Sequence, residues 1–254
     1  MDFSIKNCVA WSGNLTTTTD WQAFANGTKK LDLSDTIPEL KQVPAMQRRR
    51  LSFFAKLALH SALEASGELS EIVPSVFASR HGDLQKTSKL IKNVAEKEIL
   101  SPTQFGLSVH NAVGGLFSIY TKNKSPQTAI SSGEDSLLMA IVDATSKLKT
   151  NEYDNILVVY TETKVPEIYT QYVAQKEASI SIGLILEKST DRNNVLSLKM
   201  VANQDDNATE NTTLQAIEFL QFYFGNKKQM NIKSKRHLWT LTKNDSFSKR
   251  VTKG

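Results

Sequence analysis

Two short stretches of this sequence carry residues that could do chemistry. The first is Ser131-Ser132-Gly133-Glu134, between an apolar Thr128–Ser131 run and a helix-forming segment. A strand, a tight turn and a helix start aim one side chain at a helix N-terminus, where N–H groups and the dipole favour an anion. Nucleophiles are often presented in this way. Here the presented residue is Glu134, whose carboxylate such a site would hold ionised. The competing reading is a capped helix, with Ser132 as N-cap and acids in the first turn; composition alone favours it. The second stretch is Arg80-His81-Gly82, after an apolar run ending at Ala78. An imidazole beside a guanidinium can attack phosphorus while the arginine holds phosphate oxygens. The competing reading is a turn, with Gly82 at positive φ and Asp83 capping the next helix. The other histidines, His60, His110 and His237, pair with no cysteine, acid or second histidine at ligand spacing, so no metal or cofactor is expected. Cys8 is the only cysteine, which excludes an internal disulfide and a cysteine-rich zinc site.

The elements that must position these residues alternate between strand and helix. Apolar runs at 3–11, 73–78, 129–131, 156–160, 180–186 and 195–201 read as strands, and 237–241 as a possible last one. Helices are expected at 20–26, 46–66, 83–97, 135–148 and 211–224. In the 46–66 segment Leu51, Phe54, Ala58 and Ala62 share a face, and Gly67 stands where a left-handed cap residue belongs. The run Ile156–Tyr160 (ILVVY) has the continuous apolar character of a strand covered on both faces. This alternation means α/β layers, a mixed sheet covered by helices.

The chain has 254 residues, 40% of them hydrophobic and 22% charged, enough for a sizeable core and too apolar for general disorder. No run of eighteen apolar residues marks a membrane span and no signal peptide is visible, so a cytoplasmic location is expected. The net charge of +5 is unevenly placed. Residues 226–254 hold nine Lys/Arg against one acid, which leaves −3 for residues 1–225. The division expected is a domain over 1–225 and a basic C-terminal tail over 226–254. No aromatic–basic pattern accompanies the charge, so nucleic-acid binding is not expected.

From Gln104 to Lys188 the sequence resembles the N-terminal half of a β-ketoacyl synthase of the thiolase-like fold. Asn111-Ala112-Val113-Gly114-Gly115 with Ser118-Ile119-Tyr120 resembles the segment before the catalytic strand. Ile130–Ala144 (ISSGEDSLLMAIVDA) resembles the nucleophile loop and helix, usually I-S-S-A-C-A-T-S. Ile156–Glu162 resembles the next strand with its Gly-Thr-Glu end, and Ala178–Glu187 the one after it. Arg50–Gly67 resembles the early helix ending Ala-Leu-x-x-Ala-Gly. The ordered series covers most of residues 1–190. The short ketosynthase-like proteins of aryl-polyene and related type II polyketide clusters look most similar. The Arg80-His81-Gly82 triplet alone resembles the signature of histidine-type phosphatases, without that family's second histidine setting.

The resemblance implies a thiolase-like half-fold and puts Glu134 on the nucleophile's position. A carboxylate is a poor nucleophile for a thioester. The His-Gly-Thr and Gly-His-x-x-Gly motifs of the synthase's second half are absent too. The implied role is a non-condensing, chain-length-factor-like partner of a full-length ketosynthase, working with an acyl carrier protein. The alternatives are a thioester hydrolase or decarboxylase using Glu134 as base, and the phosphatase. The partner surface is expected at Phe105, Val113, Leu116 and Phe117, where synthases dimerise, and at Leu137 and Ile141. Those two share a stripe with Ala144 and Leu148 that a half-fold would leave partly bare.

Overall fold

The computed structural model describes the chain except residues 68–72, 151, 174–177, 189–193, 206, 210, 212, 245–246 and 248–254. Strand β1 (Asp2–Trp11) leads into helix α1 (Thr18–Ala25). A capping box starts that helix, with Thr17 accepting from the Asp20 amide and the Asp20 carboxylate accepting from the Thr17 amide. The long helix expected over 46–66 is two: α2 (Ala45–Arg48) and α3 (Phe53–Ser66). Ser52 breaks it, taking an extended conformation (φ −66°, ψ 166°) so that its hydroxyl caps the Ala55 amide. Gly67 is not the left-handed residue expected; its φ is −59°.

Strand β2 (Ser75–Ala78) is followed by α4 (Leu84–Ala95), α5 (Pro102–Gly106), α6 (Ala112–Thr121) and β3 (Gln127–Ile130). Helix α7 (Ser136–Lys149), β4 (Asn155–Glu162), β5 (Ile180–Glu187), β6 (Val195–Ala202), α8 (Gln215–Phe224), β7 (Gln229–Lys233) and β8 (His237–Lys243) complete the order. Helix α8 starts four residues later than expected because the Asn211 side chain accepts from the Thr213 amide and holds a turn there.

All strands join one mixed sheet in the order β3-β2-β4-β5-β1-β6-β8-β7. Strand β2 runs parallel to β3 and β4, and every other pairing is antiparallel. Helices α7, α8 and α1 bury Trp21, Leu138, Phe219, Phe222 and Trp239 with one face of this sheet. Helices α3 and α6 bury Phe54, Leu59 and Phe117 with the other. Strand β4 has cover on both sides and is buried from Ile156 onward, as its apolar run requires.

Two expectations are corrected here. The stripe Leu137, Ile141, Ala144 and Leu148 is fully buried. Helix α7 packs against β2 and β4, so the chain's own sheet covers it. The segment expected as a tail from residue 226 supplies strands β7 and β8 of the same sheet. Its Lys243 is buried, and Nζ donates to the carbonyls of Phe222 (2.6 Å), Tyr223 (3.2 Å) and Gly225 (2.8 Å). These are the carbonyls a helix C-terminus leaves without partners, and a cation suits them. Lys249, Arg250 and Lys253 lie outside the described residues.

Helix α3 reaches β5 across Gly183, where a Cβ would fall 2.1 Å from the Ser61 carbonyl oxygen. Backbone atoms on both sides leave no room to yield. Gly183→Ala is expected to lower stability by about 2 kcal/mol or more, read as an earlier urea midpoint at unchanged m.

Candidate functional site

The nucleophile-like loop leaves β3 at Ile130 and turns at Gly133 (φ +59°), a left-handed position that glycine occupies without strain. The expected cap is corrected: Ser132 makes no side-chain capping bond. Ser136 closes the loop instead, its hydroxyl accepting from the Ser132 amide (3.0 Å) and donating to the Gly133 carbonyl (2.7 Å).

Glu134 is half-buried, and its carboxylate is bound by backbone from the far end of the chain. Oε2 accepts from the Asn211 amide at 2.9 Å and Oε1 from the Lys235 amide at 3.3 Å. Asp135, next to it, is buried and accepts four hydrogen bonds. Oδ1 takes Trp239 Nε1 (2.7 Å) and Gln215 Nε2 (3.1 Å); Oδ2 takes Ser234 Oγ (2.9 Å) and His237 Nδ1 (2.7 Å). A carboxylate accepts only, so Nδ1 of His237 carries the proton of that bond. Glu218 on α8 accepts from Asn211 Nδ2 at 2.9 Å, and partial burial pushes its carboxyl up to about 7 against that bond. The loop is thus a joint between the start of α7 and the α8–β7–β8 segment.

A second cluster sits at the C-terminal ends of β2 and β4. Glu162 is buried at the end of β4, with Oε2 accepting from the Arg80 amide (2.7 Å) and Ser79 Oγ (3.3 Å). Loss of hydration raises its carboxyl to about 8, against the lowering effect of hydrogen bonds from Arg80, Ser79 and the His81 amide. The Arg80-His81-Gly82 triplet is the turn that Glu162 anchors. Gly82 has φ +62°, and Asp83 accepts from the Lys86 amide at the start of α4. His110 Nε2 meets the Ser79 carbonyl at 3.0 Å and Ser131 Oγ donates to the Arg80 carbonyl at 3.0 Å, so this turn abuts the loop. His81 and His237 are held by different carboxylates. No group of three His, Cys, Asp or Glu residues that could hold a metal occurs among the described residues.

Helix α7 thus follows a strand–turn that carries Glu134, beside a sheet ordered β3-β2-β4-β5-β1 in this region. The chain belongs to the β-ketoacyl synthase N-terminal domain family. The match runs over residues 21–241. No curated protein matches the sequence. Among solved structures, the chain is similar to one in the complex "Ketosynthase (ApeO) in Complex with its Chain Length Factor (ApeC)" from Xenorhabdus doucetiae, with TM-score 0.84 and 24% identity over 95% of this chain and 99% of that one. "The ishigamide ketosynthase/chain length factor" gives TM-score 0.64 and 16% identity over 81% of this chain and 69% of that one. A chain of "AntDE:AntF (apo): type II PKS acyl-carrier protein in complex with its ketosynthase bound to the hexaketide" gives 0.65 and 13% over 95% and 98%. At these identities the likeness speaks for the thiolase-like fold.

Of the expected partner-surface residues, the structure leaves two accessible. Phe105 is exposed and Leu116 half-buried. Val113 and Phe117 are turned inward, packed with Phe77 and Phe54 under α6, while Leu137 and Ile141 are buried in the core between α7 and the sheet. These four are corrected from surface to core: each side chain already has its cover within the chain. The residues missed were the acceptor Asp135 and its donors. His237 and Trp239 are two apart and so share a strand face, but nothing in the sequence ties them to an acid 102 positions earlier.

Asp135→Asn turns one acceptor oxygen into a donor facing donors. It is expected to cost about 3 kcal/mol, more than His237→Phe, as measured by chemical unfolding. Glu162 keeps its proton to higher pH when folded than when unfolded. Stability therefore falls as pH rises from about 4.5 to 8, through the range the two states titrate differently. Glu162→Gln is expected to flatten that part of the stability–pH curve; an unchanged slope between pH 5 and 8, read by urea titration, would contradict the assignment.

Proposed function

We propose that this chain is a non-condensing, chain-length-factor-like subunit that pairs with an active ketosynthase in polyketide-type chain elongation, the synthase drawing substrate from an acyl carrier protein. The observation that carries this reading is the state of Glu134. By the resemblance it stands at the family's nucleophile position, and both its oxygens accept from backbone amides that close over the loop. Each of those bonds ties the carboxylate to the C-terminal segment and weakens it as a base, so we read Glu134 as a strut rather than as nucleophile or base. Asp135 is more fully committed, with four donors around two oxygens. The similarity to a chain from a complex described as a ketosynthase with its chain length factor supports the pairing.

The pairing surface in this proposal is the β3 end of the sheet. Strand β3 is the edge of the sheet and pairs only with β2 among the described residues. In the segment between β2 and β3, α4 to α6 expose Ile91, Val94, Ile99, Phe105, Val109 and Ile119. Helix α4 has no buried residue at all. An open strand edge and exposed apolar side chains are what a strand-pairing partner covers. Among the described residues no helix is long and apolar enough to cross a membrane, and we place the complex in the cytoplasm.

Two experiments test this. Co-expressed with a full-length ketosynthase from the same genome, the chain is expected to co-purify as a one-to-one complex. Phe105→Glu with Ile119→Lys should reduce recovery of that complex about tenfold or more without changing the unfolding midpoint of the isolated chain. Recovery of each protein alone would sink the proposal. Glu134→Gln is expected to leave carrier-protein thioester turnover by the isolated chain at the blank rate, equal to wild type; measurable wild-type turnover lost in the variant would make Glu134 catalytic.

A further inference from the structure

The sheet has a second opening far from the nucleophile-like loop. Strand β1 pairs with β5 up to Trp11, but with β6 only along Asp2–Ser4. Its register on β5 shifts between Ile5 and Asn7, and beyond that irregularity β1 no longer has a strand on its β6 side among the described residues. Helix α1 flanks this free edge, where Trp21 Nε1 donates to the Ala10 carbonyl (3.0 Å). Between β1, the first turn of α1 and the second half of α3 lies a cleft of about 640 Å³. That is the volume of a small-molecule site.

The lining selects a chemical class. Trp11, Trp21, His60 and Phe224 give it aromatic walls, and Trp11 meets the His60 ring edge-on with centroids 4.9 Å apart. Among the described lining residues there is no lysine or arginine, and the one carboxylate, Glu64, is engaged by Gln42 Nε2. Burial keeps His60 below its ordinary pKa, outweighing the pull of Glu64, so the imidazole is neutral near pH 7. A phosphate or carboxylate ligand would enter without a counter-charge. Two lining residues also carry buried polar atoms with no hydrogen-bond partner, Asn7 Oδ1 and His60 Nδ1. An amide oxygen can only accept, so what this site lacks is a donor.

We infer that the cleft between β1, α1 and α3 binds an uncharged aromatic molecule carrying a hydrogen-bond donor. The site is independent of the pairing surface and of the nucleophile-like loop.

Indole, 1-methylindole and indole-3-acetate test this on the full chain. They share one ring system and differ in the donor and in charge. Indole is expected to bind saturably with one site per chain. The 1-methyl compound should bind about tenfold more weakly for want of the donor, and the acetate more weakly still. Thr18→Trp, on the first turn of α1 at the cleft wall, should abolish indole binding while thermal unfolding stays as in wild type. Gln42→Trp, at an exposed lining position beside Glu64, is a second blocking variant if Thr18→Trp fails to fold. No saturable binding at millimolar indole, equal affinity for the three compounds, or binding retained in a folded blocking variant would each overturn the inference.

Discussion

A carboxylate taken out of water must be surrounded by donors, or it gives up its charge and strains what holds it. Asp135 meets that demand with one donor each from α8, the β7–β8 turn and two positions of β8. Those elements lie at least 80 residues further along the chain. The requirement of one buried oxygen pair therefore ties residues 215–239 to the start of α7. Glu134 adds a second tie to the same segment, through main-chain amides. The loop that the resemblance gives to a nucleophile here fastens the C-terminal segment to the start of α7.

The parts legible in the sequence are those governed by local rules. Continuous apolar runs located β1, β4, β5 and β6, and Asp83 with Gly82 was readable as a cap and a turn because both act within a few residues. The α3 boundary was missed because a serine inside a helical pattern is ambiguous until its hydroxyl has a partner. Strand β7 was missed although Met230 and Ile232 alternate with Gln229, Asn231 and Lys233, because five residues give only two apolar positions and the segment was read through its charge. Lys243 was counted with a solvated tail because charge is summed without regard to position. Its ammonium instead satisfies the carbonyls at the end of α8.

The error over the bare stripe has the same origin. Reading α7 against a complete two-sheet fold leaves its stripe without a neighbour. The stripe belongs to a helix packed on β2 and β4 of the chain's own sheet, and a helix's own sequence carries no signal of which strands it will cover. Glu134 was singled out from the strand–turn–helix pattern, and it does lie in that turn. The partners of its oxygens were not legible, because they are backbone amides, and a backbone amide has no signature in a sequence.

The two ends of the sheet differ in kind. At one end β7 is a short outer strand with Gln229 and Lys233 turned to solvent, the type of edge that resists further pairing. At the other end β3 lies open, and the segment before it leaves isoleucine, valine and phenylalanine side chains uncovered. A sheet open at both ends can add molecules without limit and grow into a fibre. One that is guarded at one end can add a single neighbour and then stops, so the asymmetry of the sheet sets a count as well as a contact.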